Sequence, residues 1–489
     1  MDRVMYEKIS AWFDAHTEDM VKDIIHLVCI GSVSNPDALE KPFGLECRRC
    51  MDEMLRIGRE HGFYTENYEY YVGSIGSKEK NWDNMIGFWN HLDVVPVGND
   101  WDYEPFSPVR KEHFIIGRGA QDNKGPAIGI LYMMQCLREL EIPLKHELCL
   151  FVGCDEERGM SDFDYYVGHY PTPRLSMIAD SGFPVCYGEK GIIEGRMLSK
   201  EKLPKGLLDC GGGNASNMIP DSAYAVFAYS EELEAELTKR LEEALAQRLE
   251  EVCACSFQVT EQGIRITAKG TSKHSAFPEG SQNAIYELGR FVSSLTHIGE
   301  GARKLFEHLA YLSAEYYGKH FDMEYSDEVS GKTTCAATIL KCVNDSLALY
   351  FNIRYAITDQ SEKILGKLDA CAAQHNMIWE LERDSAPNHF PKEHPAVDIL
   401  TNLYNEITGD NKESFVMGGG TYARKLPRAF AYGVGGMQEL EVDKEVKQKL
   451  FRPGHGGAHE PDEGLNVRLL VEAMKIYTMG MIAMNDCDL

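Results

Sequence analysis

No apolar stretch in this sequence is long enough to cross a bilayer as a helix, which takes about 20 predominantly apolar residues. The first residues, Met1 to Lys8, carry acids where an export signal needs a basic start followed by an apolar core. A membrane partner is therefore not expected, and we predict a cytoplasmic protein.

Basic residues are scarce relative to acidic ones. Lysine and arginine number 50 against 76 aspartates and glutamates, which gives a formal net charge of −26. This charge repels a phosphate backbone, and no stretch rich in lysine or arginine offsets it. Nucleic acid is therefore excluded as an expected partner.

A disulfide framework is missing as well, although the chain has 14 cysteines. They are scattered along a chain without an export signal, so we interpret them as reduced thiols. Two close pairs, Cys47 with Cys50 and Cys253 with Cys255, resemble metal clips in their spacing. Neither has a second pair nearby to complete a tetrahedral site, so helix packing is the predicted role of both.

The sequence does contain enough apolar material for more than one core. A chain of 489 residues, of which 44% are hydrophobic, predicts two or more domains. The pattern changes near Tyr187, after which strands and long helices alternate until about residue 390. We predict an α/β protein whose catalytic domain spans 1–188 and 391–489 and is interrupted by an inserted domain, 189–390.

Apolar periodicity predicts the elements of the catalytic domain. Runs that are apolar at nearly every position indicate buried strands, and three-and-four spacing indicates helices packed on a sheet. The predicted helices are 6–30, 47–61, 124–140 and 467–481, and the predicted strands are 64–71, 84–90, 147–153 and 175–179.

Potential metal ligands cluster at the ends of these elements, which is where open α/β sheets place their sites. Neutral imidazole and carboxylate oxygens are the donors that Zn²⁺ or Mn²⁺ prefers, and one carboxylate can bridge two ions roughly 3.5–4 Å apart. The pattern is typical of a two-metal hydrolase. The residues concerned are His91, Asp93, Asp122, Glu156, Glu157 and Asp180.

Each of these residues also has an ordinary structural interpretation. Asp122 alone would be read as a helix cap, and the acids at 155–157 as a surface turn. Glu156 and Glu157 are adjacent, so their side chains diverge, and one can bind metal while the other serves as general base and acid. His455 and His459 lie in one glycine-rich loop, and spacing alone does not choose between them as a further ligand.

Several ordered motifs resemble the M20 metallopeptidases, and within them the PepV-like and Sapep-like dipeptidases. The resemblance covers nearly the whole length of the chain. The motifs are His91-Leu-Asp93-Val-Val-Pro, Gly117-Arg-Gly-Ala-Gln-Asp122-Asn-Lys-Gly-Pro, Asp155-Glu156-Glu157, Asp180 before Phe183-Pro-Val, Asn217-Met-Ile-Pro, His274-Ser with Pro278-Glu-Gly and Asn283-Ala, Asn352-Ile-Arg354-Tyr, Gly418-Gly-Gly-Thr-Tyr-Ala-Arg424 and His459-Glu-Pro-Asp-Glu463.

The resemblance implies a catalytic α/β domain with a mixed sheet, interrupted by an α+β lid domain. It implies two divalent ions, zinc or manganese with cobalt also suitable, that share Asp122. His91 and Asp180 would complete one site, and Glu157 and His459 the other, which selects His459 over His455.

The resemblance also implies catalytic roles around these ligands. Glu156 would take a proton from the attacking water and return it to the leaving amine. Asp93 would orient His91. A departure from the family lies next to Asp122, where Asn123 stands in place of the more frequent second aspartate.

Substrate contacts are implied for the lid domain and for the glycine-rich motif after it. His274 would donate to the oxyanion, Arg354 would pair with a substrate carboxylate, and Asn217, Gly420 and Thr421 would contact the substrate. From spacing alone, His274 reads as a surface residue, Arg354 as half of a strand-face ion pair and Asn217 as a turn residue.

We therefore predict a metal-dependent dipeptidase, monomeric on the basis of the resemblance, that acts on small peptides. Two alternatives stay open. One is an N-acyl amino acid deacylase of the succinyl-diaminopimelate desuccinylase or acetylornithine deacetylase type. The other is a small-molecule-binding homologue that has lost catalysis.

Overall fold

The computed structural model describes residues 2–247 and 254–489, so Cys253 lies outside the described residues. Two large sheets organise the chain, and all labels below follow chain order. The strands of the first sheet are β1 (Tyr64–Tyr68), β2 (Val72–Gly76), β3 (Met85–His91), β6 (Glu147–Gly153), β7 (Leu175–Ile178), β9 (Val185–Glu189), β20 (Asn388–His389), β21 (Phe415–Met417) and β22 (Ala429–Tyr432).

The first sheet is mixed, in the order β1-β2-β6-β3-β7-β22-β9-β20, with β21 paired to β9. Strands β6, β3, β7 and β22 run parallel, whereas β1 pairs antiparallel with β2, β2 with β6 and β9 with β22. Every residue of β3 is buried, as expected for a parallel strand covered on both faces.

Short strands and helices complete this part of the chain. The helix at Gly125–Glu139 is buried along most of its length. The strands are β4 (Val109–Lys111), β5 (Phe114–Ile116), β8 (Ser181–Gly182), β23 (Val434–Gly435) and β24 (Gly464–Asn466), and the helices are α1 (Arg3–Val28), α2 (Leu45–Glu60), α3 (Gly125–Glu139), α4 (Ser161–His169), α9 (Pro395–Thr408), α10 (Glu441–Leu450) and α11 (Val467–Ala483).

The inserted part of the chain forms a second, antiparallel sheet. Its larger strands are β10 (Gly191–Lys202), β11 (Leu207–Gly212), β12 (Ser222–Phe227), β13 (Cys255–Thr260), β14 (Gly263–Lys269), β17 (Thr334–Val343), β18 (Ser346–Tyr355) and β19 (Met377–Ser385). The remaining elements are β15 (Ser326–Asp327), β16 (Gly331–Lys332), α5 (Glu231–Gln247), α6 (Ala284–Ser293), α7 (Glu300–Ser313) and α8 (Ser361–Gln374).

The second sheet has eight strands in the order β13-β14-β12-β11-β17-β18-β10-β19. Its apolar core includes buried side chains from the strands, such as Ile266 and Phe351, and from the helices, such as Leu288 and Phe306. An antiparallel sheet with helices packed on it is an α+β arrangement. The mixed first sheet and this second sheet confirm the predicted fold class.

The chain divides into two units. Unit 1 comprises Met1–Gly188, Asn388–Val416 and Gly420–Leu489, and unit 2 comprises Glu189–Pro387 and Met417–Gly419. The assignment of unit 2 as a lid stays a prediction.

Most of the predicted elements have observed counterparts, but the predicted strand 64–71 was wrong in extent. The chain turns after β1, where Glu69 and Tyr70 adopt left-handed φ values of 57° and 64°. The side chain of Asn67 accepts a hydrogen bond from the backbone N–H of Tyr70 at 2.7 Å and stabilises this turn. The segment is therefore a hairpin, and β1 pairs with β2.

The cysteines of the close pairs that fall within the described residues are buried. Cys47 and Cys50 lie on α2, and Cys255 lies in β13 rather than on a helix. None of the described cysteines is part of a disulfide. Among the described residues, no helix combines the length and the apolar character that crossing a membrane requires.

Candidate metal centre

The parallel strands of unit 1 bring the predicted ligands to one edge of the sheet. His91 is the last residue of β3 and pairs with Gly153, the last residue of β6. Glu157 follows β6 by four residues, and Asp180 follows β7 by two. Because the carboxyl ends of parallel strands meet at one edge, residues far apart in the chain converge there.

Two groups of potential ligands share one carboxylate. The first group is His91, Asp122 and Asp180, and the second is Asp122, Glu157 and His459; within each group the ligand atoms lie within 4.8 Å of one another. Oδ1 of Asp122 lies 2.9 Å from Nε2 of His91, and Oδ2 lies 3.1 Å from Nε2 of His459. The two oxygens of Asp122 therefore face different groups.

The remaining distances complete each group. Nε2 of His91 lies 3.5 Å from Oδ2 of Asp180, and Nε2 of His459 lies 3.0 Å from Oε1 of Glu157. Nδ1 of His91 is 3.0 Å from the carbonyl oxygen of Asp93. When Nδ1–H donates to that carbonyl, Nε2 is free to bind a metal ion. A metal-binding imidazole usually makes such a hydrogen bond through its other nitrogen.

Electrostatics in this cluster favour added positive charge. Burial by itself lowers the pKa of His91, but hydrogen bonds to Asp122 and Asp180 outweigh it and raise this pKa well above its usual range. Hydrogen bonds to Asp122 and Glu157 raise the pKa of His459 to about 11. Burial and the charge of Asp122 raise the pKa of Asp180. Carboxylates outnumber the imidazoles here, so the donor set suits divalent cations.

Four consecutive backbone N–H groups at the end of β6 are held by two buried carboxylates. Asp93 accepts from the N–H of Glu156 at 3.2 Å and from that of Glu157 at 3.1 Å. Oδ2 of Asp162 accepts from the N–H groups of Cys154 and Asp155 at 2.8 and 2.9 Å. These bonds position the loop that carries Glu156 and Glu157.

Asp93 therefore does more than the sequence suggests. Its backbone carbonyl faces His91, while its carboxylate, 3.5 Å from Nδ1 of His91, also holds the two glutamate amides. Glu156 is partly buried, and burial together with the charges of Asp180 and Glu157 raises its pKa well above the usual range. A carboxyl with a raised pKa is suited to holding a proton during a reaction.

Sequence reasoning missed three polar side chains that support the candidate ligands. Nδ2 of Asn123 donates to Oδ1 of Asp180 at 2.9 Å, and Asn90 in turn donates to Asn123. Oε1 of Glu463 accepts from the backbone N–H of Asp122 at 3.0 Å. Glu463 ends the His459 motif and Asn123 follows Asp122, so their closeness to ligands was the available signal.

His455 belongs to a different cluster. Its Nδ1 lies 2.6 Å from Oδ2 of Asp462, and it forms a three-residue group with Asp462 and Asp102. The guanidinium of Arg452 binds Asp102 there, with Nε 2.8 Å from the carboxylate. His459, rather than His455, lies with Asp122 and Glu157.

The predicted substrate residues of unit 2 lie on neighbouring segments. Met218 pairs with His274 in an isolated bridge, and the N–H of Ser275 donates to the carbonyl of Asn217 at 2.8 Å. Arg354 lies near the end of β18 and is buried. Burial and the charge of Arg354 lower the pKa of His274.

Hydrogen bonds define the state of two of these side chains. Nδ1 of His274 accepts from the N–H of Ala276 at 3.1 Å, so the proton of the neutral ring lies on Nε2. Nε of Arg354 donates to Asn352 at 2.8 Å, and Nη1 donates to the carbonyl of Gly418 at 3.1 Å. The guanidinium is thus held in one orientation.

The two other predicted substrate residues lie in unit 1. Thr421 is buried, and its hydroxyl accepts from the N–H of Ala423 at 3.1 Å, where it caps a short helix. A Cβ at Gly420 would meet the guanidinium of Arg424, so a larger residue would displace that side chain. Contact of either residue with substrate stays a prediction.

A cavity of about 490 Å³ adjoins the shared carboxylate within unit 1. Asp122 and Asp180 line it together with apolar side chains such as Phe114 and Leu470. Pockets of roughly 300–1,000 Å³ with a few convergent polar groups are typical of small-molecule sites.

Asp162 is expected to make the stability of unit 1 depend on pH. Burial and the charge of Asp93 raise its pKa to about 7. An aspartate in an unfolded chain titrates near about 3.9, so its stabilising effect is complete below that pH and is lost as the pH rises through about 7. We expect Asp162→Asn to reduce the fall in the free energy of unfolding over this range, measured by urea denaturation.

The matched control is Asp37→Asn, because the side chain of Asp37 is 90% exposed. This variant should keep the pH dependence of the unmodified protein. An Asp162→Asn variant with an unaltered slope of unfolding free energy against pH would contradict the assignment.

Comparisons with known proteins show what this chain is similar to. The model for "Peptidase family M20/M25/M40" matches residues 87–481. A Staphylococcus epidermidis protein named "Putative dipeptidase" is 27% identical over 96% of this chain and 97% of its own. The Bacillus subtilis "Putative dipeptidase YtjP" is 28% identical over 95% of this chain and 96% of its own.

A solved structure shares the fold across the whole chain. The di-peptidase Dug1p of Saccharomyces cerevisiae superposes with a TM-score of 0.57 and 13% identity, covering 99% of both chains. The family match includes the ends of β3, β6 and β7 and the segment that carries His459. The resemblance seen in the sequence is thereby confirmed: this chain belongs to peptidase family M20/M25/M40.

Proposed function

We propose that this protein is a dipeptidase that hydrolyses the peptide bond of free dipeptides with the help of two divalent ions. The observation that carries the proposal is the shared carboxylate, because the two oxygens of Asp122 face His91 and His459 separately. The family membership and the dipeptidase names of the relatives support the substrate class.

His91, Asp122 and Asp180 would hold one ion, and Asp122, Glu157 and His459 the other. Zn²⁺ or Mn²⁺, with Co²⁺ also suited to these donors, would supply Lewis acidity toward the scissile carbonyl and the attacking water. Asn123 and Glu463 orient Asp180 and the backbone of Asp122, which keeps the ligands in place.

Glu156 would act as the general base and then as the general acid. It accepts the proton that the attacking water loses and delivers it to the nitrogen of the departing amino acid. Its raised pKa suits both steps, and the bond from its own N–H to Asp93 restrains the loop during them.

Unit 2 would supply the remaining contacts in this proposal. His274, with its proton on Nε2, would donate to the carbonyl oxygen as negative charge develops there, a contribution of roughly 3–4 kcal/mol when the donor is preorganised. Arg354 would bind the carboxylate of the substrate, because its planar fork matches two carboxylate oxygens. Asn217 would contact the substrate beside them.

The test uses metal-stripped protein to which Zn²⁺, Mn²⁺ or Co²⁺ is restored separately. Each preparation receives a panel of free dipeptides together with their N-acetylated and N-succinylated counterparts. We expect metal-dependent release of free amino acids from the dipeptides and much slower cleavage of the acylated compounds. Preference for an acylated substrate would instead identify a deacylase, and absence of metal-dependent cleavage would reject the proposal.

The role of Arg354 gives a separate prediction. Hydrogen bonds to a charged group contribute about 1.5–3 kcal/mol, so Arg354→Lys should lower kcat/KM for dipeptides by roughly 10- to 100-fold, mainly through KM. Steady-state kinetics on dipeptides and on the matching dipeptide amides measure the effect. The amides lack the carboxylate and should respond little.

Arg303→Lys is the matched control, since Arg303 pairs with Glu307 on the exposed face of α7. It should leave both constants unchanged. Equal losses on dipeptides and on amides in the Arg354→Lys variant would show that Arg354 does not bind the carboxylate. The predicted monomeric state and cytoplasmic location are tested by sedimentation and by cell fractionation.

A further inference from the structure

Two cysteine side chains face each other in the middle of the unit 2 sheet. Cys210 lies in β11 and Cys342 in β17, 132 residues apart in the chain, and their Sγ atoms are 3.5 Å apart. The antiparallel register joins Gly212 with Leu340. Cys210 lies two residues before Gly212 and Cys342 two residues after Leu340, and the backbone N–H of Cys210 donates to Sγ of Cys342 at 3.3 Å.

The positions of these cysteines suit a covalent bond. A disulfide has an S–S bond of about 2.0 Å, so the two Sγ atoms, which lie 3.5 Å apart, must approach each other by about 1.5 Å. Rotation of a cysteine side chain about its Cα–Cβ bond moves Sγ over a distance of this order.

The surroundings give the two thiols different roles. Cys342 is partly exposed, whereas Cys210 is only 1% exposed. Hydrogen bonds from the thiol and the backbone N–H of Cys210 lower the pKa of Cys342, while the same contact and burial raise that of Cys210. Burial raises the pKa of other cysteines of the chain, such as Cys136 and Cys149. Cys342 is thus the accessible nucleophile and Cys210 the partner behind it.

We propose that Cys210 and Cys342 form a reversible disulfide-exchange site for low-molecular-weight disulfides. The Cys342 thiolate attacks one sulfur of the small disulfide, forms a mixed disulfide and releases one thiolate. Cys210 then loses its proton and attacks Sγ of Cys342, which forms the internal disulfide and releases the second thiolate. The two protons lost by the cysteines end on the two released thiols, so the small disulfide is reduced as the protein is oxidised.

The disulfide would link β11 to β17, the two strands at the centre of the sheet. Strands β13, β14, β12 and β11 form one half, and β17, β18, β10 and β19 form the other, so β11 and β17 make the junction. The register between these two strands joins a single residue pair among the described residues, whereas β17 and β18 are registered over nearly their full lengths. A disulfide would add a covalent tie where the ladder is shortest.

The experiment uses the full chain, reduced, freed of reductant and exposed to defined ratios of oxidised to reduced glutathione. Free thiols are then blocked with an alkylating agent, and the protein is digested and mapped by mass spectrometry. We expect peptides linked through Cys210 and Cys342 to accumulate as the ratio rises and to disappear after addition of dithiothreitol. This measurement does not involve hydrolysis, so its result is independent of the proposed function.

Three variants separate the roles of the cysteines. Cys210→Ser should leave Cys342 as a persistent mixed disulfide with glutathione, and Cys342→Ser should prevent modification of Cys210. Cys29→Ser, which removes an exposed cysteine outside this sheet, should leave the link unchanged. The map of the unmodified protein decides the question even when a variant does not fold. Persistence of a mixed disulfide at Cys342 in that protein, or full alkylation of both cysteines under oxidising conditions, would overturn the proposal.

Discussion

Replacing Glu156 with glutamine is expected to lower kcat for dipeptide hydrolysis by roughly 10²–10⁴-fold, the usual contribution of a general acid–base residue. The amide keeps the size of the side chain but neither accepts nor delivers the proton. Asp93 would still hold the backbone N–H of residue 156, so the ligand Glu157 should keep its place. Turnover and metal content, measured on the same preparation, give the result.

Lost turnover together with retained metal would distinguish a general base at Glu156 from a metal ligand at this position. Glu40→Gln is the matched control, because Glu40 is an exposed glutamate of unit 1 outside the ligand groups and should tolerate the same change. Loss of metal together with activity would place Glu156 among the ligands instead. Retention of activity would favour another base, and a protein that never turned over dipeptides would favour the binding-protein alternative.

Asp122→Asn is expected to weaken the binding of both ions at once. One neutral amide would replace the carboxylate whose two oxygens face His91 and His459. Loss of an outer-shell partner typically costs about 10- to 100-fold in metal affinity, and loss of a shared ligand should cost more than that at each site. Elemental analysis after dialysis against defined free metal measures the bound ions.

Asp180→Asn is the informative companion to this variant. Asp180 belongs only to the group that contains His91. The other group, with Glu157 and His459, should therefore keep its ion in this variant. Asp37→Asn, at an exposed position, controls for the change in charge. Full retention of two ions in Asp122→Asn would contradict the shared-carboxylate arrangement.

The ends of the parallel strands were predictable from the sequence because burial on both faces makes these strands continuously apolar. The predicted strand at 84–90 corresponds to β3, and His91 is its last residue. The strand predicted at 147–153 has the observed bounds of β6, and Glu156 follows it. Local patterns were sufficient for His91, Glu157 and Asp180, because each lies within a few residues of an apolar run. His459 lies in a glycine-rich loop, and only the resemblance to the family selected it over His455.

The partners that hold these ligands were not predictable in the same way. Asn123 donates to Asp180, 57 residues away, and Glu463 accepts from the N–H of Asp122, 341 residues away. A hydrogen bond of this kind leaves no periodic trace in the sequence. Asp162, which accepts from the hydroxyl of Tyr422, is another case, because the two residues are 260 positions apart.

Unit 2 is inserted between β9 and β20, and this point of insertion bears on how the protein can evolve and be engineered. The chain leaves through β9 and returns through β20, which are neighbours in the unit 1 sheet, and the N–H of Phe390 donates to the carbonyl of Tyr187 at 2.7 Å. The exit and the re-entry are thus already side by side, so a short connection in place of the insert would cost little loop-closure entropy. Seen from unit 1, the insert is one long connection between two neighbouring strands. Such a connection can be lengthened, shortened or exchanged while the sheet that carries the candidate ligands stays the same.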